Sequence, residues 1–308
     1  MMERTAWWNL LKDEEAQTIS DVGILGFPYD ATVCYRKGAA LAPAKIRELS
    51  RTSAAITESG RAIGQLRVTD FGDVIPGQGD SARPEKYIEQ AVDHLKTIKS
   101  PPSFLLCLGG DHSILIPVSQ WIQERGISDW GVIHIDAHPD LFSIYENSPL
   151  SHATALRRTL ELPNFHPQRC AMIGARSFSP FETEFIQTMN MPLTTAKQMQ
   201  EKGTAVVVDE ICDLLQGLDH VLVSLDIDAV DPAFAPGTGI PVAGGLSSRD
   251  LLTITEGFIK RLPVDVLCLV EIAPPLDVSD ITSFLGTQVV MEIFGQLDEK
   301  VCARPADH

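Results

Sequence analysis

The sequence predicts an α/β fold in which a central, mostly parallel β-sheet is covered by helices on both faces. Short runs of apolar and β-branched residues alternate along the chain with longer segments of helical period, which is the pattern of a parallel α/β sheet. Most of these runs are apolar on both faces, as expected for strands that lie between two layers of helices. No linker-like change in composition interrupts the 308 residues. We therefore expect residues 1–308 to form a single domain.

The predicted elements largely alternate between strand and helix. Each predicted strand is a short apolar or β-branched run, and the strands cover residues 22–27, 67–71, 104–108, 131–135, 170–173, 221–225 and 266–270. Pro43 suits the first turn of the first helix, where its missing N–H loses no helical hydrogen bond. The predicted helices cover residues 43–57, 84–99, 114–124, 180–189, 205–215, 248–261 and 281–298.

The charge balance excludes two classes of partner. Lys and Arg total 25 and Asp and Glu total 41, which gives a formal net charge of −16. Binding to nucleic acid or to an anionic membrane surface depends on positive charge, so we expect neither partner. Charged residues make up 21% of the chain and apolar residues 44%, which is the composition of a folded protein and not of a disordered one.

We expect a cytoplasmic protein. The first residues, MMERTAWWNLLKDEEAQ, lack the uninterrupted hydrophobic stretch of a secretory signal, and the longest apolar runs are far shorter than the roughly 20 residues that cross a bilayer. The six cysteines are scattered without a CxxC pair, which argues against a thiolate metal site and favours reduced thiols. We expect Trp7 and Trp8, beside the acidic residues 13–15, to belong to a docked N-terminal segment and not to a membrane anchor.

Three of the loops that follow predicted strands contain clustered Asp and His residues. Ligands bind beyond the carboxyl ends of the strands in open parallel sheets, so these loops mark a candidate site. Taken singly, such an Asp more often caps a helix or makes a turn, and such a His is more often a hydrogen-bonded residue than a ligand. Three clusters together would place carboxylates where they repel one another unless cations lie between them. The loops are LGGDHS (108–113), HIDAHPD (134–140) and SLDIDAVDP (224–232).

The candidate ligands in these loops suit two divalent ions. They comprise four carboxylates and two imidazoles, so two dications offset the negative charges, whereas one ion leaves the site anionic. Two metals about 3.5–4 Å apart can share a carboxylate and activate a bridging water as a nucleophile. Oxygen-rich ligation without a thiolate favours Mn²⁺ over a structural Zn²⁺ site. The candidate ligands are His112, Asp136, His138, Asp140, Asp226 and Asp228.

The same motifs resemble those of a known family. GGDHS, DAHPD and SLDIDAVDPAFAPGTG are similar to the three metal-binding signatures of the ureohydrolases, the arginase and agmatinase superfamily. The similarity covers nearly the whole chain, from GFPYDATVCYRKGAALAPAKIREL (26–49) through IGARS (173–177) to VEIAPPLDVSDIT (270–282). It implies a three-layer arginase-like α/β fold, a binuclear manganese centre and hydrolysis of a guanidino group to urea and an amine. It also implies a homotrimer or homohexamer, with Ni²⁺ as an alternative metal.

The resemblance assigns the same six metal ligands. It makes His112 and Asp228 terminal ligands of opposite metals, and it makes Asp136, Asp140 and Asp226 bridging or chelating carboxylates, with His138 completing the set.

Three residues match catalytic or substrate-binding positions of the family. His152 in LSHAT matches its proton-handling histidine, and Glu271 matches the glutamate that anchors the guanidinium. Asp140 would carry a proton toward the leaving amine. Independently of the family, the carboxylate of Glu271 at a strand end suits a planar cation, which it can hold through two parallel charge-assisted hydrogen bonds.

Other polar residues near the motifs receive lesser roles. We expect His134 to be a core histidine bonded to the backbone, and we expect Asp111 and Asp231 to orient loops or ligands. The glycine-rich segment 236–247 lacks the spacing of a phosphate-binding loop. We expect it to form a mobile wall of the active site.

Departures from the arginase pattern favour agmatine over L-arginine as the substrate. Arginases carry Asn at the position of Phe142, and two Asp that bind the α-amino group at the positions of Ser177 and Ser179. Without these partners the charged α-substituents of arginine would be poorly compensated. The SHAT and IGARS forms are similar to those of agmatinases, which implies conversion of agmatine to putrescine and urea in polyamine metabolism. Guanidino acids such as guanidinobutyrate, free guanidine and alkylguanidines stay open, as does formimidoylglutamate.

Two hypotheses that assign the protein to other functional classes have less support from the sequence. An amide hydrolase similar to histone deacetylases shares the general fold but uses a single zinc ion, and the second-metal ligands His112 and Asp228 argue against it. A metal-free binding or regulatory subunit is the other hypothesis, and the presence of His152 and Glu271 argues against that one. The metal content of the protein separates these hypotheses from a binuclear hydrolase.

Overall fold

Eight parallel strands form the central sheet in the computed structural model, which describes residues 6–11 and 20–303. The strands are β1 (Val22–Gly26), β2 (Val68–Asp73), β3 (Phe104–Leu108), β4 (Trp130–Ile135), β5 (Cys170–Ile173), β6 (Leu193–Thr194), β7 (His220–Asp226) and β8 (Val264–Val270). Their order across the sheet is β2-β1-β3-β8-β7-β4-β5-β6, and every neighbouring pair is parallel. All carboxyl ends therefore lie at one edge, where β3, β8, β7 and β4 stand side by side.

Helices cover both faces of the sheet, as predicted. The helices are α1 (Ala42–Leu49), α2 (Pro84–Lys96), α3 (Leu115–Glu124), α4 (Ala155–Leu160), α5 (Pro180–Thr188), α6 (Ala196–Lys202), α7 (Thr204–Leu214), α8 (Ser248–Arg261) and α9 (Ile281–Cys302). One buried core contains side chains of α1, α7, α8 and α9, and the other contains side chains of α2, α3, α4 and α5. In β3, Leu106 and Leu108 face the first core, and Leu105 and Cys107 face the second, because alternate side chains of a strand point to opposite faces.

The predicted elements differ from the observed ones mainly at helix ends and in short segments. The predicted helix 43–57 is wrong beyond Leu49, where α1 ends. The hydroxyls of Ser50 and Thr52 donate to nearby backbone carbonyls at 2.8 and 2.7 Å, an arrangement that competes with helix formation. α9 continues past the predicted residue 298 to Cys302. β6, α4 and α6 are missing from the prediction, because two to seven residues carry too little periodicity to be recognised.

The expected docking of the N-terminal segment is confirmed for Trp7 and Trp8. Their exposed fractions are 0% and 4%, and both rings pack against Phe294 of α9 at centroid distances of 6.3 and 5.8 Å. The Trp7 Nε1–H also donates to Asp70 Oδ2 at 2.6 Å. The acidic residues 13–15 lie outside the described residues. Within the described ranges, no helix is both long enough and apolar enough to span a bilayer.

Replacing Trp7 should show how much this docking contributes to stability. Trp7→Ala removes the packing and the hydrogen bond, and we expect it to lower the free energy of unfolding by about 3–5 kcal/mol. Trp7→Phe keeps most of the packing and loses only the hydrogen bond to Asp70, so we expect a loss of about 1–3 kcal/mol. Urea denaturation followed by circular dichroism measures both. Equal stability of Trp7→Ala and the unsubstituted protein would contradict the docking.

Candidate metal centre and active-site pocket

The loop after β3 fits tightly between the loops that follow β1 and β8. The Gly110 N–H donates to the Phe27 carbonyl at 2.8 Å, and the Gly110 carbonyl accepts from the Glu271 N–H at 2.9 Å. A Cβ atom at Gly110 would lie 1.7 Å from the Tyr29 carbonyl oxygen, so no larger residue fits there. This packing brings His112 beside Glu271, whose Oε1 accepts the His112 backbone N–H at 2.9 Å.

The loops after β4 and β7 hold three of the predicted carboxylate ligands in fixed orientations. Ile135 at the end of β4 pairs with Leu225 of β7, so Asp136 and Asp226 follow at the same level of the sheet. Backbone N–H groups donate to Asp136 Oδ1, Asp226 Oδ1 and Asp228 Oδ1 at 2.6, 2.8 and 3.1 Å. Each of these carboxylates therefore has one oxygen held by the backbone.

The imidazole of His112 lies against three of the carboxylates. Its Nδ1 is 2.9 Å from Asp136 Oδ2, 3.0 Å from Asp140 Oδ2 and 3.3 Å from Asp226 Oδ2. Its Nε2 is hydrogen-bonded to Ser224 Oγ at 2.7 Å. That bond fixes the ring so that Nδ1 faces the carboxylates, which is how ligand histidines are commonly oriented.

His138 forms a second group with Asp228. Its Nδ1 lies 3.0 Å from Asp228 Oδ2 and 3.6 Å from Asp136 Oδ1. Asp136 therefore lies beside both imidazoles and could help to hold an ion at either one. The structure thus brings all six predicted metal ligands together in two adjoining groups.

Unpartnered buried atoms test whether this cluster suits metal ions. His112 Nδ1 and Asp136 Oδ2 are buried 2.9 Å apart, yet neither makes a hydrogen bond of suitable geometry among the described residues. A buried atom in that state costs about 1–3 kcal/mol, and a divalent cation held by His112 and Asp136 would satisfy both. Burial, followed by the charges of Asp228 and Asp136, raises the pKa of Asp226 well above its usual value. Two dications would offset that repulsion, so the donor set and its burial fit a pair of metal ions.

His134 contacts the metal-ligand cluster in addition to making the expected bond to the backbone. Its Nε2 is 3.2 Å from the His138 carbonyl oxygen, as the expected backbone bond requires, and also 3.2 Å from Asp136 Oδ2. Its ring stacks on that of His112 at a centroid distance of 5.0 Å. His134 therefore supports one ligand from each group.

Two residues of the site have strained backbone conformations. Asp140 has a φ of 53° and Glu271 a φ of 63°, in the left-handed region that residues other than Gly rarely adopt. Such strain costs of order 1–3 kcal/mol and persists only where surrounding contacts impose it. Here the contacts around Gly110 and the cluster impose it, and the strained backbones aim both carboxylates at the site.

A cavity of about 290 Å³ gives access to the cluster. His112, His138, Asp226 and Asp228 line its inner end, together with all three predicted catalytic residues, Asp140, His152 and Glu271. The outer wall includes several aromatic side chains. Phe142 lies there against Tyr145 and Phe181, with ring centroids 5.3 and 5.4 Å apart, and Ser177 and Ser179 add hydroxyl groups.

The charges of Glu271 and His152, which both line the inner cavity, affect each other's pKa. Burial, followed by the charges of Asp226 and Asp111, raises the pKa of Glu271 well above its usual value. Burial opposes protonation of His152, but Cys34 and the carboxylates of Glu271, Asp140 and Asp111 outweigh it and raise its pKa to about 9. Two bound dications would favour the carboxylate form of Glu271 and oppose protonation of His152.

The expected loop-orienting residues do hold loops. Asp111 accepts backbone N–H groups from Thr32 and Ser113 at 2.9 and 3.0 Å. Asp231 accepts those of residues 233, 244 and 245 at 2.7–3.1 Å. Thr238, in the segment 236–247, lines the cavity with the two residues that follow it. The wall is thus confirmed, and its mobility stays a prediction.

The loop after β1 supplies cavity residues that the Asp and His motifs did not indicate. Cys34, Tyr35 and Arg36 line the cavity, and none of them belongs to an Asp and His cluster. The rule that ligands bind at strand ends could have indicated this loop, since it also follows a strand. Nothing in its composition distinguishes it from an ordinary loop.

Known proteins resemble this chain over most of its length. A model of the Arginase family matches residues 20–295. An agmatinase of Bacillus anthracis is 34% identical over 279 residues, which cover 89% of this chain and 91% of that protein. A guanidinopropionase of Pseudomonas aeruginosa is 30% identical over 284 residues, covering 90% and 87%. The structure of the proclavaminate amidino hydrolase of Streptomyces clavuligerus superimposes with a TM-score of 0.85 at 28% identity, covering 96% and 97%.

Asp228→Ala should remove one metal site. Because the His138 group loses its carboxylate, we expect the metal content after dialysis against Mn²⁺ to fall from about two ions per chain to about one. Inductively coupled plasma mass spectrometry measures this content. Asp231→Asn, which changes a carboxylate of the same loop outside the cluster, is the matched control and should keep the full content. Full occupancy in Asp228→Ala would exclude Asp228 as a ligand.

Proposed function

Since the chain belongs to the arginase family, we propose that it is a metal-dependent amidinohydrolase that releases urea from a guanidino compound, with agmatine as the first candidate. The main support is the pair of adjoining His and Asp groups at the inner end of a cavity that also contains Glu271. Agmatinase is the activity named for the Bacillus anthracis relative. The missing arginase carboxylates at Ser177 and Ser179 argue against L-arginine.

We propose manganese as the metal, with nickel as the alternative, because most of the donors are carboxylate oxygens. His112, Asp136, Asp140 and Asp226 would hold one ion, and Asp136, His138 and Asp228 would hold the other. Such a pair of ions, when bound, makes a water molecule nucleophilic at neutral pH and offsets the charge that develops during hydrolysis.

The residues around the inner cavity have separate roles in this proposal. The carboxylate of Glu271 would hold the planar guanidinium through two parallel hydrogen bonds and orient its carbon. Asp140 would carry a proton toward the leaving amine, and His152 would supply or relay another. Both proton-handling groups line the same cavity as Glu271.

The outer cavity suits the remainder of agmatine. Phe142 and Tyr145 offer aromatic surface to an aliphatic stem, and aromatic faces also attract a terminal ammonium group. Glu182 also lines the cavity, and its two oxygens accept backbone N–H groups of Leu141 and Ser179. The terminal ammonium would have the rings, the hydroxyl groups and this carboxylate as partners.

The cellular setting is part of the proposal. We infer a cytoplasmic homotrimer or homohexamer without a nucleic-acid or membrane partner. Support comes from the net charge of −16, from the family resemblance and from the cysteines of the described chain, which are all unpaired thiols.

Urea release tests the proposed function. The protein is assayed with agmatine, arginine, guanidinobutyrate, guanidine and methylguanidine, each with Mn²⁺ and with Ni²⁺. We expect the highest kcat/KM with agmatine and Mn²⁺. If no compound yields urea with either metal, the amidinohydrolase proposal is wrong.

Glu271→Ala supplies the matched control for that assay. The variant should keep its metal ions but lose at least about 100-fold in kcat/KM, since it lacks the two charge-assisted hydrogen bonds to the guanidinium. Turnover close to that of the unsubstituted protein would remove the anchoring role of Glu271.

One observation favours guanidino acids as a second candidate class. Arg36 is the only Lys or Arg among the described residues that line the cavity. Its Nε–H donates to the Gly239 carbonyl at 3.2 Å, which holds the side chain at the cavity wall. A substrate with a guanidinium at one end and a carboxylate at the other would match both charges.

Arg36→Met tests this second candidate. If the substrate is a guanidino acid, the loss of the cation should raise KM for guanidinobutyrate about 10- to 100-fold, the value of a hydrogen bond between charged groups. The KM for agmatine should stay the same or fall. An unchanged KM for guanidinobutyrate would exclude Arg36 as a carboxylate-binding group.

A further inference from the structure

The hydroxyl of Thr32 connects two parts of the site that come from distant segments. Thr32 lies on the loop after β1, and its Oγ1 is 2.9 Å from Asp111 Oδ2 and 2.9 Å from the backbone nitrogen of His152. The ionised carboxylate can only accept a hydrogen bond and the backbone N–H can only donate one. The hydroxyl therefore donates to Asp111 and accepts from His152.

Asp111 is a rigid attachment point for this connection. It is fully buried, and Oδ2 accepts both the N–H and the hydroxyl of Thr32. Its Oδ1 accepts the N–H and the hydroxyl of Ser113, and its own N–H donates to the Tyr29 carbonyl at 2.7 Å. Asp111 immediately precedes His112, so its position is tied to that of the candidate metal ligand.

His152 begins the short turn 152–154, which leads into α4 and is held by a capping box between Ser151 and Thr154. Its ring nitrogen Nδ1 is hydrogen-bonded to Ser151 Oγ at 3.1 Å, and its ring lies edge-on to that of Tyr145 at 5.4 Å. The β1 loop thus holds the backbone of His152 through Thr32.

We propose that Thr32 is a positioning residue for His152. Its hydroxyl bond to Asp111 sets the place of the His152 imidazole relative to the loop that carries His112, and thereby relative to a substrate anchored at Glu271. This inference rests on the proposed function, in which His152 handles a proton. Neither Thr32 nor Asp111 is among the residues that line the cavity, so in this proposal both act through His152 and His112.

A matched pair of variants isolates the hydroxyl. Thr32→Val keeps the size and branching of the side chain and loses the hydroxyl, whereas Thr32→Ser keeps the hydroxyl and loses a methyl group. With the metal-loaded full chain and the best substrate of the panel, we expect Thr32→Val to lower kcat about 10- to 100-fold, because proton transfer depends on the placement of the imidazole. KM and metal content should change little. Thr32→Ser should restore most of kcat.

A double-substitution cycle distinguishes positioning from a general structural role. In a His152→Ala background, Thr32→Val should have almost no further effect on kcat, since the residue through which it acts is gone. The same loss of kcat in both backgrounds would overturn the proposal. If Thr32→Val does not fold, Thr32→Ala is used in the same cycle, with the melting temperature as the check on folding.

Crystal structures of the two variants provide a readout that does not depend on activity. The His152 imidazole should be displaced in Thr32→Val and should keep its place in Thr32→Ser. An unmoved imidazole in Thr32→Val would overturn the proposal. If the unsubstituted protein releases no urea from any compound of the panel, the proposed function fails, and the crystal structures still decide whether Thr32 positions His152.

Discussion

Repulsion among buried carboxylates is the constraint on which the rest of this structure depends. Asp136, Asp140, Asp226 and Asp228 are at most 5% exposed, and each has an oxygen within 3.3 Å of an imidazole nitrogen of His112 or His138. Burying such charges without compensation is strongly unfavourable. Backbone N–H groups hold single oxygens of three of them, and a pair of dications is the simplest means of offsetting the charge that remains. The loops therefore hold these carboxylates in positions that suit a pair of cations.

The same constraint explains the charge layout of the cavity. Once two dications offset the four aspartates, Glu271 is the carboxylate left at the inner end, where it suits a guanidinium. The remaining lining adds rings, hydroxyl groups and one cation, Arg36. Binding of the reacting group is thus separated from recognition of the rest of the substrate. The overall net charge of −16 does not determine the charges inside the cavity, because most of the charged residues belong to the solvated surface.

Rigid loops make this arrangement possible. Gly110 lets three loops pack against one another, and the strained backbones at Asp140 and Glu271 are sustained by the contacts around them. Thr32 extends the same network to His152. A site in which proton-handling groups must stand at fixed distances from metal ions requires such support, since small displacements lower the rate of reaction strongly.

The sequence by itself determined the parallel α/β class, most strand positions and the six candidate ligands. Both signals, the periodicity of apolar residues and the spacing of Asp and His at strand ends, lie within short segments of the chain and can be recognised there. It did not indicate that β8 lies between β3 and β7, which places Glu271 against His112, a residue 159 positions earlier. Nor did it indicate Thr32, Cys34 or Arg36. Those neighbours depend on the order of strands in the sheet, which is decided by packing between surfaces far apart in the chain and leaves no local pattern.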